Sequence, residues 1–309
     1  MPVMTIESAS RKLVKEFRSR RTLRTGSLIT TVFGDSIAAR GGTVWLGSLI
    51  NLMSDFGISE RLVRTSVFRL VQDGWLQSSQ IGRRSYYSLT EEGCERFAHA
   101  TSKIYAEPTS DWDEKWYLVL LVGLDAGKKE LVRKELGWLG FAALTSNMLA
   151  HPAPDEAGLD AVLRRLGSAD ELIVMSAHTI RNAMAMRKLA QASWNLAEID
   201  AGYADFIKRF SPLITAYGKD ANVLPKSAFM VRTLLIQEYR KVLLRDPLLP
   251  SELLPESWSG RAAYRLCRNL YRAVYTQADA YLSEVLETVD GPLPPVSDEF
   301  MQRFGGLER

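Results

Sequence analysis

An α+β chain of several domains is predicted by three changes of pattern along its 309 residues. From Trp45 to Thr90 a short helix, a turn, a basic helix and a Gly-Arg-tipped hairpin follow one another. Between residues 114 and 195, strand-like and helix-like runs come in the order β-α-β-β-α-β, and from residue 196 onward the periodicity is helical. The predicted division is 1–106, a linker at 107–113, a middle domain at 114–195 and a helical domain at 196–309.

In the first module Leu46, Leu49, Ile50 and Met53 recur at helical spacing, so one face of LGSLINLMSDF is apolar. Gly57 breaks that helix, Ile58 plugs the corner, and Ser59 is placed to cap the next helix through its hydroxyl. On this second helix Val63, Val67 and Leu70 fall on one side, and Arg61, Thr65, Arg69 and Gln72 on the other. Arg61, Arg64 and Thr65 lie toward its N-terminus, where recognition helices reach base edges. Phe68 flanks the polar face, and packing under the hairpin is favoured over contact with a thymine methyl or a sugar. In WLQSSQIGRRSYYSLT two strands meet at Gly82-Arg83, which sets Arg83 and Arg84 at the tip to neutralise phosphates. Thr90 caps the following helix, with Glu91 and Glu92 in its first turn. The whole reads as a winged helix-turn-helix. A bare αα corner with five solvated arginines is the alternative, and the wing in the right order favours DNA binding over it.

Charge supports that placement. The net +3 conceals 15 basic and 9 acidic residues up to Ala106, against 24 basic and 27 acidic beyond it. Only the first third has the balance of a surface that meets nucleic acid. Arg11 to Arg24 holds seven basic residues against Glu16 alone, as either an arm supplementing the wing or a solvated helix face. Apolar residues make up 46% of the chain, ample for more than one core. The longest apolar run, Trp116 to Leu124, is far short of the roughly 18 residues a membrane span needs, and MPVMTIESAS has no signal-peptide pattern, so a cytoplasmic location is expected. Cys94, Cys267, His99, His151 and His178 show no disulfide or zinc spacing, so no metal is expected.

The middle domain reads as a strand at Trp116 to Gly123, a helix at Lys128 to Leu136, short strands at Phe141 to Thr145 and near Met148, a helix at Leu159 to Leu166, and the strand ELIVMSA. That order suggests a ferredoxin-like sandwich. Helices follow at Ile199 to Tyr217, Ser227 to Arg245 and Tyr264 to Leu286, interrupted by DPLLPSELLPESWSG, whose prolines break the helix. In the last helix Arg261, Arg265, Arg268 and Arg272 fall on one face beside Tyr264, Tyr271 and Tyr275, opposite Ala263, Leu266, Cys267, Leu270 and Val274. The stripe is either a solvated, salt-bridged face or a receptor for phosphates or acidic side chains.

No phosphate-binding glycine loop, GxSxG elbow or HExxH pair is present, so no catalytic residue is assigned and an enzyme is not expected. Asp125, after the first middle-domain strand, keeps open a metal-dependent nuclease, although a lone strand-end aspartate is usually a turn residue. A winged helix used for protein contacts is the other alternative.

The run SLITTVFGDSIAARGGTVWLGSLINLMSDFGISERLVRTSVFRLVQDGWLQSSQIGRRSYYSLTEEG closely resembles the bacterial phenylacetic-acid degradation repressors, the PaaX family. WYLVLL, KELGWLGFA and RDPLLPSELLPESWSG are similar to that family's middle and C-terminal regions, so the resemblance spans nearly the whole chain. It implies a GntR-type winged helix, a middle domain like a small CRISPR-adaptation subunit, a helical C-terminal domain and no cofactor. It further implies a homodimer that represses genes of aerobic phenylacetate breakdown and is released from double-stranded operator DNA by phenylacetyl-coenzyme A. Such an effector needs cations for its phosphates and an apolar pocket for its phenyl group. The Arg261 to Arg272 stripe is one candidate; Arg181, Arg187 and Lys188 form a second.

Overall fold

The structure, a computed structural model, describes residues 5–19, 25–108, 112–167, 171–181, 183–218 and 223–308. Its elements begin with α1 (Ile6–Arg18), α2 (Thr25–Val32), β1 (Thr43–Trp45), α3 (Leu46–Ser54), α4 (Glu60–Gln72), β2 (Leu76–Ile81), β3 (Arg84–Leu89) and α5 (Glu91–Tyr105). There follow β4 (Lys115–Leu120), α6 (Ala126–Trp138), β5 (Ala142–Thr145), β6 (Met148–His151), α7 (Glu156–Arg165), β7 (Ile173–His178) and α8 (Ala183–Ser193). The last are α9 (Leu196–Tyr217), α10 (Pro225–Leu243), α11 (Gly260–Val285), β8 (Glu287–Thr288), β9 (Gly291–Pro292) and α12 (Asp298–Met301). By packing they form two compact units: Met1–Glu107 with Ala204–Leu243 and Ala262–Arg309, and Pro108–Tyr203 with Leu244–Arg261. The N-terminal module thus shares its core with C-terminal helices.

In the first unit, Leu46, Leu49, Leu52 and Met53 of α3 meet Val63 and Val67 of α4, all buried. Gly57 takes the turn at φ +74°, open to glycine without strain, and Ile58 is buried in the corner. The sheet runs β1-β3-β2, antiparallel, with Val44 opposite Tyr87 and Ile81 opposite Arg84. Gly82, at φ +60° in the first central position, suits the tight turn that joins β2 to β3. The sequence reading had no β1; three residues are too few for an alternation to show.

Thr90 caps α5, accepting from the Gly93 amide at 2.9 Å while donating to the Gly74 carbonyl at 2.6 Å. Gly93 is the constrained member of this joint, because a Cβ there would stand 2.3 Å from the Trp75 carbonyl oxygen. Alanine at an ordinary helical glycine stabilises; Gly93→Ala is instead expected to destabilise by about 1–3 kcal/mol, read as a lower urea midpoint.

Helix α1 buries Ile6, Leu13, Val14 and Phe17, and Phe17 sits edge-on to Phe56, which in turn meets Phe229 of α10. Arg11, Lys12, Lys15 and Arg18 point outward, and Arg18 also donates to the Asp55 carbonyl. The described part of the Arg11 to Arg24 segment is therefore a solvated helix face rather than a free arm; Arg20 to Arg24 lie outside the described residues. Helix α10 is buried continuously from Ala228 to Gln237, as a helix enclosed on all sides must be.

A polar network lies inside this unit. Asp35 occupies a π-helical turn, Phe33–Ile37, and is almost fully buried. Arg232 Nε lies 2.9 Å from its Oδ2, and Arg303 Nη1 3.2 Å from its Oδ1. The Tyr105 and Tyr271 hydroxyls donate to Oδ1 at 2.6 and 2.9 Å. Beside it the buried Arg40 pairs with Asp279 and donates to the Pro294 carbonyl at 2.9 Å. Phe304 packs on Tyr105, Tyr264 and Tyr271, so the chain's last turn closes over this network.

In the second unit the sheet runs β5-β6-β4-β7, antiparallel throughout, with α6 and α7 in the connections. The order β-α-β-β-α-β is the one read from the sequence. Val119, Leu121, Val132, Leu136, Leu149, Leu159 and Val162 form its core. Residues 246–259 are non-helical apart from a short turn at Ser251–Leu253, as the prolines required. This segment is tied down within the unit: Tyr203 donates to Asp246 at 2.7 Å, and the Ser259 amide donates to Asp200 at 2.7 Å. Helix α8 is an addition to the order predicted from the sequence.

Candidate nucleic-acid interface

The outward face of α4 carries Arg61, Arg64, Thr65, Phe68 and Arg69, all exposed, while Val63 and Val67 hold the helix to the core. Ser59 stands at the N-cap with extended backbone, but its side chain makes no capping hydrogen bond. The expected hydroxyl cap is thus replaced by backbone geometry alone, and the hydroxyl is exposed beside the first turn. Arg64 Nε donates to Glu60 Oε1 at 2.8 Å, one turn back, and the Thr65 hydroxyl donates to the Arg61 carbonyl at 2.9 Å. Arg61 and Arg69 make no ion pair among the described residues. Phe68 is 62% exposed, contrary to its expected place under the hairpin, because β2 and β3 leave that flank of α4 uncovered.

At the hairpin tip Arg83 is exposed without an ion pair among the described residues. Arg84 is engaged: Nη1 lies 2.7 Å from Glu287 Oε2, and its guanidinium sits 4.1 Å above the Trp45 ring. The Glu287 carboxylate, together with Tyr86, raises the Arg84 guanidinium above its ordinary value. Trp45 in turn lies so close over Gly47 that a Cβ there would meet the indole at 2.3 Å. No pattern in the sequence links Glu287 to the hairpin, since the two are 203 residues apart.

The proposed arginine stripe of α11 is only partly open. Arg261 and Arg265 are exposed and Arg268 is half-buried, its guanidinium 5.8 Å from the Tyr264 ring. Arg272 donates to the Phe304 carbonyl at 2.8 Å. Tyr264 and Tyr271, read as flanking an available face, are in the core. The reason is the C-terminal turn, whose Phe300 and Phe304 cover the side of α11 that a helical wheel leaves free. In the second unit Arg181 and Lys188 are exposed, and Arg187 Nε donates to the Glu252 carbonyl at 2.8 Å. A cavity of about 330 Å³ lies in the first unit between α5 and the C-terminal turn, lined by Leu89, Phe97, Ala98, Phe300 and Arg303 among others. Its size suits a small apolar group.

Three family models match in succession: a PaaX-like protein at residues 24–93, the PaaX protein central Cas2-like domain at 109–189, and a PaaX-like protein C-terminal domain at 194–284. The transcriptional repressor PaaX of Escherichia coli K12 is 44% identical over 284 residues, covering 91% of this chain and 90% of that protein. The chain belongs to the PaaX family. A solved structure of an uncharacterized Mycobacterium tuberculosis protein is 22% identical, covers 76% of this chain and 89% of its own, and superposes with a TM-score of 0.48.

The role of that PaaX relative is regulatory, not catalytic, and Asp125 agrees with it. Its carboxylate caps α6, accepting from the Lys128 amide at 2.9 Å, and this hydrogen bond holds it below the ordinary carboxylate value. No group of three potential metal ligands occurs among the described residues. Asp125 is thus the helix-capping turn residue, and the nuclease alternative loses its only support. No helix among the described residues is long and apolar enough to cross a membrane.

Proposed function

We propose that this chain is a cytoplasmic, DNA-binding repressor of phenylacetate catabolic genes, built on a GntR-like winged helix and released from its operator by phenylacetyl-coenzyme A. The observation that carries the reading is the outward face of α4. Arg61, Arg64, Thr65, Phe68 and Arg69 are exposed together on a helix anchored from behind, beside a hairpin whose tip bears Arg83 and Arg84. A helix with that face fits the major groove, and the hairpin fits the neighbouring backbone.

A homodimer is part of the proposal, because two-fold sites are the usual targets of this motif. The edge strand β7 supports it, with Ile173, Val174 and Met175 exposed and one side of the strand unpaired among the described residues. For the effector we place coenzyme A phosphates on the outward arginines of α11, Arg265 and Arg268, and the phenyl group in the cavity beside Phe97 and Phe300. Arg181 and Lys188 are the other candidate cations.

The deciding test is anisotropy titration of a labelled duplex from the promoter of the host's phenylacetate genes, with phenylacetyl-coenzyme A, phenylacetate and coenzyme A in parallel. Release by the thioester alone is expected. A coupling of about 3 kcal/mol would weaken operator binding roughly a hundredfold. Equal response to all three compounds, or to none, rules out the effector assignment, and no binding to the duplex rules out the repressor.

A further inference from the structure

One wing arginine is not free to meet a phosphate. Arg84 opens β3 directly after the hairpin turn, yet its guanidinium is held between the Trp45 ring and the Glu287 carboxylate. Glu287 is fixed in turn. Its amide donates to Ser48 Oγ at 3.2 Å, Leu286 beside it is buried, and the Leu293 amide closes the β8–β9 hairpin onto the Leu286 carbonyl at 3.1 Å. Ser48 also donates to the Trp45 carbonyl at 2.9 Å, so the shelf under Arg84 and the strand that carries Glu287 share one anchor.

Glu287 follows the end of α11 by two residues. A shift at the C-terminal end of that helix would therefore be carried to the carboxylate with little slack. Both partners are near half exposed, at 49% and 44%, so the pair is open to competition from solvent and from an incoming phosphate. A carboxylate occupies the same donor face of arginine that a phosphate would use.

We propose that Glu287 is a built-in competitor for DNA: it holds the wing residue Arg84 as a phosphate would, lowers operator affinity, and lets the end of α11 set how much of the wing's charge is available. This rests on reading the β2–β3 hairpin as a DNA-contacting wing. It differs from a general charge effect, because only a carboxylate in contact with Arg84 can act in this way.

The test uses the full-length protein and the same promoter duplex, titrated at several salt concentrations. Glu287→Gln is expected to bind about threefold to fivefold tighter, the range a half-exposed pair allows, with a salt slope steeper by about one ion, as one more phosphate becomes neutralised. Glu284→Gln removes the same charge from an exposed position on α11 without touching Arg84, and is expected to change affinity less than twofold. In an Arg84→Ala background, Glu287→Gln is expected to have no further effect. Unfolding midpoints should stay unchanged in Glu287→Gln, because a half-exposed pair contributes little to stability. Unaltered or weaker binding of Glu287→Gln overturns the proposal. So does a gain matched by Glu284→Gln, or one that persists without Arg84. If the unsubstituted protein fails to bind the duplex, the wing reading itself falls and takes this proposal with it.

Discussion

Replacing Asp35 by alanine is expected to lower the unfolding free energy by about 3–5 kcal/mol, the cost of leaving buried charges without their partner. Two guanidiniums, Arg232 and Arg303, lie against this carboxylate, and Arg232 is fully buried. Neither can shed its proton, so both would remain charged in a medium that solvates charge poorly. The Tyr105 and Tyr271 hydroxyls would lose their acceptor as well. Asp35→Asn keeps the shape but not the charge, and should fall between alanine and the unsubstituted protein. Urea unfolding followed by tryptophan fluorescence measures both. A loss below 1 kcal/mol for alanine would mean that the network is not holding the unit together. The pH dependence has a defined sign. Burial alone would raise the Asp35 carboxyl, but Arg232 and Arg303, aided by the two tyrosines, bring it below its ordinary value. A depressed carboxyl contributes stability that is complete above the unfolded-state value near 3.8 and is lost as pH falls through the folded-state value. Asp35 therefore stabilises across the neutral range and makes the first unit sensitive to strong acid; Asp35→Asn should flatten that acid limb.

The same residue shows where sequence reasoning stops. Amphipathic spacing separates Val63 and Val67 from Arg61 and Thr65, and Gly57 and Gly82 mark their turns, because these features are encoded within a few residues. Asp35 carries only a weak signal, the single charge in the stretch SLITTVFGDSI, and nothing nearby names a partner for it. Its partners Arg232 and Arg303 are 197 and 268 residues away, and no periodicity reaches so far. The surroundings of Tyr264 and Tyr271 on α11 escape the helical spacing for a related reason. Helical spacing found the face packed through Cys267, Leu270 and Val274, but it assumed that one packed face leaves the other open. Phe300 and Phe304, beyond the helix, cover Tyr264 and Tyr271 and so enclose α11 from a second side. Thr90 and Asp125 were legible for the opposite reason, since a cap is completed within three residues of itself.

On the proposed interface, Arg61→Ala is expected to weaken binding to the promoter duplex by about 1–3 kcal/mol, roughly fivefold to 150-fold. Arg61 stands in the first turn of α4, exposed and without an ion pair among the described residues, so its donors are free for a base edge or a phosphate. Arg64 is one turn from Glu60 and already bonded to it, so part of its charge is spent within the helix and Arg64→Ala should cost less. Both are surface positions, and neither change should alter the unfolding free energy by more than about 0.5 kcal/mol. A nonspecific duplex of the same length separates the two kinds of contact. If Arg61 reads a base, the loss is confined to the promoter sequence and the salt slope is kept; if it meets a phosphate, both duplexes weaken equally and the slope drops by about one. Equal, small losses for Arg61→Ala and Arg64→Ala would instead place the DNA away from the N-terminal turn of α4, with the exposed Arg69 and Phe68 as its next point of contact.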